Sequence, residues 1–214
     1  MSKEAEIAAA GVIAIVRLDD LSAAEPLTRA LIRAGIGAIE FTFTNRRAAG
    51  VIERVREAVG EQIAVGAGSV LDSETGRIAI LAGAEFLVTP TLSLPVIELA
   101  NRYAIPTVIG AFTPTEIVTA WQAGATYVKV FPATAVGPQY LNDVRGPLPR
   151  VRLIPTGGVG PDNAAAFIRA GAAAIAVGSS LVDAKTVAGG NWDVIEERAR
   201  RLLAIVREAR AGAA

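Results

Sequence analysis

The segment Ala123-Gly-Ala-Thr-Tyr-Val-Lys-Val-Phe-Pro132 joins two signals that recur along this chain. Its Ala-Gly pair is typical of a helix end, because glycine readily adopts the left-handed conformation that terminates a helix. The run 127–132 is rich in Val and aromatic residues and predicts a β-strand. The same pair occurs at 34–35, 82–83 and 170–171, and each time a strand-like run follows. The chain therefore predicts helices that alternate with strands.

Eight strand-like runs occur in the 214 residues, each starting about 20 to 27 residues after the one before. They span residues 12–18, 36–43, 63–70, 85–90, 107–112, 127–132, 152–157 and 174–179. Helical patterns fill the intervals. Residues 21–34 place Leu27 and Leu31 on one face, and Thr113-Pro-Thr-Glu116 has the residues of a capping box. Such alternation predicts a parallel sheet with right-handed crossovers.

The four Ala-Gly pairs precede every second strand, about 40 to 48 residues apart. A unit of two βα modules repeated four times predicts an α/β fold, a closed (β/α)₈ TIM barrel, with residues 1–214 as one domain. An open Rossmann-like sheet is the alternative, but no G-x-G-x-x-G follows the first strand. Residues 1–10 predict a short helix that closes the bottom of the barrel, and 192–211 predict a long final helix.

Composition limits the possible partners and chemistry. Acidic and basic residues number 21 each, which indicates no nucleic-acid or anionic membrane partner. No apolar run is long enough to span a membrane and the start MSKEAE is unlike a secretory signal, so we expect a cytoplasmic protein. The chain has no Cys and no His, which excludes thiolate nucleophiles, Ser-His-Asp triads and His-ligated metals. We expect neither a metal nor a cofactor.

Lys129 is the strongest candidate for catalysis. It is one of three lysines against eighteen arginines, and the only one inside a predicted strand. Burial lowers the pKa of a lysine, and the neutral amine is a nucleophile for carbonyl carbon. The alternatives are an edge-strand lysine that faces solvent and a structural ion pair with Glu40.

Glu40 is the second candidate. Period-two alternation places Ala38, Glu40 and Thr42 on one side of their strand, with Ile39 and Phe41 on the other. The large apolar side chains would pack on helices, which leaves Glu40 inside the barrel. There it could relay protons, or it could serve only to balance the charge of a nearby lysine.

Further polar candidates lie near other strand ends, where barrels carry their sites. The turn Thr156-Gly-Gly-Val159 and the turn Gly178-Ser-Ser180 could bind an anion through backbone N–H groups, although strand-to-helix loops need glycine in any case. Arg17 could hold a carboxylate bidentately, or form a salt bridge with Glu40 or Asp19. Ser69 could add a hydroxyl to the same anion.

These residues lie in motifs that together resemble the 2-keto-3-deoxy-6-phosphogluconate (KDPG)/4-hydroxy-2-oxoglutarate (KHG) aldolase family along nearly the whole chain. The motifs are Ala14-Ile-Val-Arg17, Gly37-Ala-Ile-Glu-Phe-Thr42, Val65-Gly-Ala-Gly-Ser-Val70, Gly83-Ala-Glu-Phe-Leu-Val-Thr-Pro90, Gly110-Ala-Phe-Thr-Pro-Thr-Glu116, Val128-Lys-Val-Phe-Pro132, Pro155-Thr-Gly-Gly-Val159 and Val177-Gly-Ser179. The resemblance implies a trimeric class I aldolase that acts on small 2-oxo acids and aldehydes without a metal.

The resemblance also implies site roles. Lys129 would form an imine with pyruvate, and Glu40 would shuttle protons. Arg17 and Ser69 would contact the pyruvate carboxylate, while Pro90 and Phe131 would shape the pocket. The residues expected to face the rest of the substrate and its phosphate are Thr156, Gly157, Gly158, Gly178 and Ser179.

Three positions depart from the commonest family pattern. Thr44 stands where many members carry an arginine, so we assign substrate binding to Thr44 and to Arg17 together. Ser69 replaces the usual threonine, and Thr89-Pro90-Thr91 replaces Ser-Pro-Gly. Thr156 favours the gluconate over the galactonate epimer. Two other functions remain open: a phosphosugar isomerase or epimerase that uses Glu40 and Lys129 as acid and base, and a catalytically silent trimeric scaffold.

Overall fold

The protein is a ring of parallel strands surrounded by helices, in a computed structural model that describes residues 3–212. The strands are β1 (Val12–Val16), β2 (Ala38–Thr42), β3 (Ala64–Gly68), β4 (Leu87–Val88), β5 (Thr107–Ala111), β6 (Tyr127–Val130), β7 (Leu153–Pro155) and β8 (Ile175–Val177). The helices are α1 (Lys3–Ala10), α2 (Ala24–Ala34), α3 (Ala48–Val59), α4 (Ser73–Leu81), α5 (Leu94–Arg102), α6 (Pro114–Gln122), α7 (Gly137–Arg145), α8 (Ala164–Arg169), α9 (Ala184–Ala188) and α10 (Trp192–Ala211), with 3₁₀ turns at Gly60–Gln62 and Ala133–Ala135.

The sheet closes on itself. Strands pair in chain order from β1 to β7, and β8 pairs with β1, always in parallel. The ring is completed between β7 and β8 by a bridge from Thr156 to Ala176 and by a 2.9 Å hydrogen bond from Ala173 N–H to the Leu153 carbonyl. The predicted (β/α)₈ barrel is therefore confirmed, and the open-sheet alternative is wrong.

The helix boundaries follow the sequence signals. The glycines of the four Ala-Gly pairs all have left-handed φ angles, 94° at Gly35, 91° at Gly83, 94° at Gly124 and 88° at Gly171. The capping box of α6 forms: Thr113 N–H donates to the Glu116 carboxylate at 2.8 Å, and Glu116 N–H donates to the Thr113 hydroxyl at 3.2 Å. Helix α10 has the predicted bounds, whereas α2 begins at Ala24 instead of residue 21.

The strands are shorter than predicted, and β4 has only two residues. Glu85, predicted as the start of that strand, places its carboxylate beside Val65 N–H at 3.0 Å and pairs with Arg56 at 2.9 Å. At the other end, Pro90 has no N–H with which to extend the ladder. The predicted strands are longer than the observed ones because the sequence pattern of one strand does not reveal where its neighbour in the sheet ends.

Two apolar layers lie on the two faces of the sheet. Inward-facing side chains fill the lower barrel: Ile13, Ile15, Ala38, Ala64, Phe86, Val88, Val108, Tyr127, Ile154 and Ala176. Outward-facing side chains such as Ile39 and Phe41 pack against the helices. Gly66 makes room for the Phe86 ring, because a Cβ at Gly66 would lie 2.5 Å from ring carbons. The inner face is therefore full below the level of the polar residues described next.

Helix α1 closes the bottom of the barrel, as predicted for residues 1–10, of which Met1 and Ser2 lie outside the described residues. Its Ile7 is fully buried in the inner layer. The Tyr127 hydroxyl donates to the Glu4 carbonyl at 2.8 Å, and Arg210 of α10 donates to the Ala8 carbonyl at 2.9 Å. No helix among residues 3–212 has both the length and the apolar character needed to cross a bilayer.

Candidate active site

Lys129 lies inside the barrel on β6, with 3% of its surface exposed. Its neighbours Val128 and Val130 point outward into the helix layer, so period-two alternation directs the lysine inward. The amine lies over the Phe131 ring, 4.9 Å from the ring centroid. The alternative of a solvent-facing lysine is wrong.

The surroundings of Lys129 favour its neutral form. Burial lowers the pKa of Lys129 below its ordinary value of 10.5, and the charge of Arg17 lowers the pKa further. The Glu40 carboxylate opposes this by stabilising the ammonium. A buried lysine with a lowered pKa has a larger fraction of nucleophilic amine at neutral pH than a surface lysine.

Glu40 lies on β2 and is 1% exposed. Burial raises the pKa of Glu40, while the charges of Lys129 and Arg17 lower it. Its Oε2 atom is buried and has no hydrogen-bond partner among residues 3–212. Glu40 and Lys129 influence each other electrostatically, yet no direct hydrogen bond or ion pair joins them in the described chain. The alternative of a direct structural ion pair is therefore wrong.

A glycine on the neighbouring strand makes room for the Glu40 carboxylate. Gly68 of β3 pairs with Thr42 of β2, and a Cβ built on Gly68 would lie 2.5 Å from Glu40 Oε1. Any side chain at this position would displace the carboxylate. Gly68 belongs to a sequence motif, but this role could not be predicted from the sequence because the contact between Gly68 and Glu40 depends on the register of β2 against β3.

A cavity of about 550 Å³ opens at the carboxyl ends of β1, β6, β7 and β8. Seven of the predicted site residues line it: Arg17, Phe131, Thr156, Gly157, Gly158, Gly178 and Ser179. Lys129 and Glu40 lie deeper in the barrel and do not line this cavity, although Phe131 contacts both the Lys129 amine and the cavity. The Phe131 ring therefore connects the candidate nucleophile with this cavity.

The turns after β7 and β8 present free hydrogen-bond donors to this cavity. Gly157 and Gly158 both have positive φ, 89° and 68°, which only glycine adopts readily. Within residues 3–212, the N–H groups of Gly158 and Ser179 donate to no other residue, whereas the Gly157 N–H is used in the bridge between Thr156 and Ala176. Unpaired backbone N–H groups at a concave surface are suited to an anion.

Two side chains, neither of which has a predicted role of its own, hold these turns in place. Asn163 accepts from Gly160 N–H at 3.0 Å and donates to the Gly158 carbonyl at 2.9 Å. The Ser180 hydroxyl donates to the Val159 carbonyl at 2.9 Å and so links the two turns. Thr156, at the start of the first turn, has a buried hydroxyl without a hydrogen-bond partner among the described residues.

Arg17 lies at the mouth of the barrel, exposed to solvent and lining the cavity. The described chain gives it no salt bridge to Glu40 or Asp19, so the structural alternative for Arg17 is wrong and its guanidinium is available to a ligand. The other three predicted residues follow β2, β3 and β4 on the opposite side of the mouth and do not line the cavity. Thr44 is exposed and shares a 2.8 Å hydrogen bond with the Thr42 hydroxyl.

Ser69 and Pro90 have distinctive backbone positions. Ser69 has a left-handed φ of 56°, unusual for a residue other than glycine. The Pro90 carbonyl group passes so close to Gly110 that a Cβ there would lie 2.2 Å from the Pro90 carbonyl carbon. Gly110 is in turn the β5 partner of Lys129. The chain at Pro90 thus approaches the strand that neighbours the lysine.

No group of three or more acidic residues suited to a metal ion occurs among residues 3–212.

Comparison with known proteins identifies the family. The family model "Aldolase: KDPG and KHG aldolase" matches residues 4–198. This chain belongs to the KDPG and KHG aldolase family. The resemblance inferred from the sequence motifs is thereby confirmed.

Individual members of the KDPG and KHG aldolase family match over nearly their full length. The 2-dehydro-3-deoxy-phosphogluconate aldolase of Treponema pallidum is 33% identical over 196 residues, 91% of this chain and 93% of that protein. The KHG/KDPG aldolase of Escherichia coli K12 is 32% identical over 200 residues, 93% of each. The KDPG aldolase of Legionella pneumophila, whose crystal structure holds pyruvate captured at low pH as a covalent carbinolamine, is 26% identical with a TM-score of 0.86 and covers 94% of this chain and 98% of its own.

Proposed function

We propose that this chain is a class I aldolase that cleaves 2-dehydro-3-deoxy-6-phosphogluconate to pyruvate and glyceraldehyde 3-phosphate. The observation that carries the proposal is the Lys129 amine, which is buried inside the barrel, has a lowered pKa and interacts electrostatically with the buried Glu40 carboxylate. Family membership and the named activities of the relatives support the same reaction. An aldolase of this class is an aldehyde-lyase and requires no metal, because a covalent iminium takes up the electrons.

The reaction begins at Lys129. Its neutral amine attacks the C2 carbonyl carbon of the 2-oxo acid and forms a carbinolamine. Loss of water gives an iminium at C2, which draws electrons from the C3–C4 bond as that bond breaks. The carbinolamine held by the Legionella pneumophila relative is the first intermediate of such a sequence.

Glu40 moves the proton. Its carboxylate accepts the proton of the C4 hydroxyl as the C3–C4 bond breaks, which releases glyceraldehyde 3-phosphate and leaves an enamine. It then returns the proton to C3, and water hydrolyses the resulting iminium to pyruvate and free amine. The raised pKa of Glu40, caused by burial, suits proton acceptance because it makes the carboxylate a stronger base than an exposed one.

The two ends of the substrate are bound by different groups. Arg17 and Ser69 bind the pyruvate carboxylate, helped by Thr44 at the rim, and Pro90 and Phe131 enclose the carbon chain. The phosphate lies in the cavity between the β7 and β8 turns, where Gly158 and Ser179 present unpaired N–H groups and Gly157 adds no bulk. Gly178 leaves space there, since the nearest atom to a Cβ at Gly178 would be 4.0 Å away.

The substrate range follows from the same cavity. Thr156 supplies a buried hydroxyl without a partner, which favours hydrogen bonding to the gluconate epimer over the galactonate epimer. 4-Hydroxy-2-oxoglutarate, cleaved to pyruvate and glyoxylate, is the second substrate that we propose, since relatives carry both activities in their names. The role that follows is a step of the Entner-Doudoroff pathway in the cytoplasm.

A coupled assay with lactate dehydrogenase tests this function through the pyruvate released. We expect the wild-type chain to release pyruvate and Lys129→Arg to lose turnover, because a guanidinium cannot form the imine. Lys185 is exposed on α9, so Lys185→Arg is the matched control and should keep full activity. Retained turnover in folded Lys129→Arg would remove Lys129 from its proposed role.

We further propose that the chain acts as a homotrimer of single-domain barrels. Exposed apolar side chains concentrate near α4 and α5, including Leu71 at 65% and Leu81 at 69% exposure, and such a patch is typical of an interface. Light scattering should give three times the 22.1 kDa chain mass. A monomer mass at micromolar concentration would contradict this assembly.

A further inference from the structure

The cavity carries few charges. Among residues 3–212, the lining of the whole cavity contains two charged side chains, Arg17 and Asp162. Arg17 is committed to the substrate carboxylate in the proposed function. Asp162 lies in the turn between β7 and α8, immediately before Asn163, and lines the same cavity as Gly158 and Ser179, whose N–H groups are unpaired within the described residues.

The Asp162 carboxylate is exposed and uncompensated. It forms no ion pair and no hydrogen bond with any residue in the described part of the chain. Asp183, by contrast, accepts from Thr186 N–H and pairs with Arg198. No base among the described residues neutralises Asp162 in this way, and Asp162 lines the cavity.

We propose that Asp162 is a specificity-determining residue that weakens the binding of a doubly charged phosphate. It thereby reduces the preference of the enzyme for phosphorylated over unphosphorylated substrates. A phosphate monoester carries nearly two negative charges at neutral pH. The backbone N–H groups attract it, no lysine or arginine of the β7 and β8 turns that line the cavity adds to that attraction, and the Asp162 carboxylate repels it. An uncharged hydroxymethyl group meets the same donors without the repulsion. This inference rests on the proposed function and concerns only the phosphate end of the substrate.

The test compares Asp162→Asn with the wild-type enzyme on two substrates. We expect the KM for 2-dehydro-3-deoxy-6-phosphogluconate to fall about three- to tenfold, the range expected for one charge acting through partly solvated surroundings. The KM for unphosphorylated 2-dehydro-3-deoxygluconate should stay within about twofold, since no charge pair is lost. Asp162→Glu, which keeps the charge, should resemble the wild type, and Asp143→Asn on exposed α7 is the control for a surface carboxylate.

Salt separates an electrostatic role from a structural one. The gain in Asp162→Asn should shrink as salt rises from about 50 mM to about 500 mM, because the Debye length falls below the size of the cavity. Calorimetry with 3-phosphoglycerate, a phosphate monoester, tests the same effect without turnover. Its dissociation constant should be lower for Asp162→Asn than for the wild type, and this difference should also shrink as salt rises.

Equal affinities of Asp162→Asn and the wild type for 3-phosphoglycerate would overturn the inference, as would a salt-independent gain or equal gains on both substrates. Failure of the proposed function looks different: pyruvate and borohydride would leave no adduct on Lys129 in either protein, whatever the affinity for 3-phosphoglycerate.

Discussion

Gly68→Ala is the substitution that tests most sharply whether the position of the Glu40 carboxylate matters. The backbone at Gly68 has no left-handed φ, so alanine can adopt its conformation without strain. The added Cβ would lie 2.5 Å from Glu40 Oε1 and 2.8 Å from its carboxyl carbon. The oxygen must therefore move by about 1 Å to reach ordinary van der Waals separation.

A shift of this size has different costs for stability and for catalysis. The displaced atom is the far end of a flexible side chain, so we expect a loss of about 1 kcal/mol or less in the free energy of unfolding. Misplacing a catalytic group by about 1 Å costs about 100-fold in rate, or about 2.7 kcal/mol in the activation barrier. The expected result is a folded protein with kcat reduced between about 10- and 100-fold.

The assay is steady-state pyruvate release, followed together with borohydride trapping of pyruvate. Trapping should survive in Gly68→Ala, because the Lys129 amine is not displaced. Gly50→Ala on α3 is the matched control, since the nearest atom to its added Cβ is the end of Arg54 at 3.7 Å. An unchanged kcat in folded Gly68→Ala would show that the reaction tolerates a displaced Glu40, and would refute its role as the proton relay.

Two further predictions concern buried polar groups. Lys129→Met should abolish turnover yet raise the free energy of unfolding by about 1 to 2 kcal/mol, measured by denaturant titration. The pKa of Lys129 is lowered in the folded state, so burying the protonated amine destabilises the fold fully at pH values below that pKa. The stability gained by Lys129→Met should therefore shrink as pH rises toward the ordinary lysine pKa of 10.5. A loss of stability at pH 7 would contradict this reasoning. Thr156→Val removes a buried hydroxyl without a partner and should raise stability by about 1 kcal/mol while lowering the ratio of kcat/KM for the gluconate over the galactonate epimer. An unchanged ratio would leave Thr156 without a part in epimer choice.

Much of the architecture could be predicted because its signals are local. The eight strands, the capping box of α6 and the bounds of α10 each depend on a short segment, and all three are confirmed. The inward direction of Glu40 also followed from alternation along a single strand. Local propensity and burial agree at these positions, so a short window of sequence was enough.

The remaining features depend on contacts between segments that are distant in the chain. The space that Gly68 leaves for Glu40 requires the register of β2 against β3, and the close pass of Pro90 beside Gly110 requires that of β4 against β5. The left-handed backbone at Ser69 carries no glycine signal that could have revealed it. These relations explain why candidate residues could be named from sequence while their spatial arrangement could not.

The arrangement also places the candidate chemistry on rigid elements and the candidate recognition on turns. Lys129 and Glu40 lie within strands, whereas the N–H groups of Gly158 and Ser179, unpaired within the described residues, follow strand ends. Sites on strands are held more precisely than sites on loops. Substitutions in the turns after β7 and β8 should therefore alter KM and substrate preference more than the chemical step.

The most direct test of the central claim is intact-mass and peptide analysis after incubation with pyruvate and borohydride. We expect one reduced pyruvate per chain, attached to Lys129, with Lys3 and Lys185 unmodified. No adduct, or an adduct on another lysine, would contradict it, even if the barrel itself were then seen by crystallography as described.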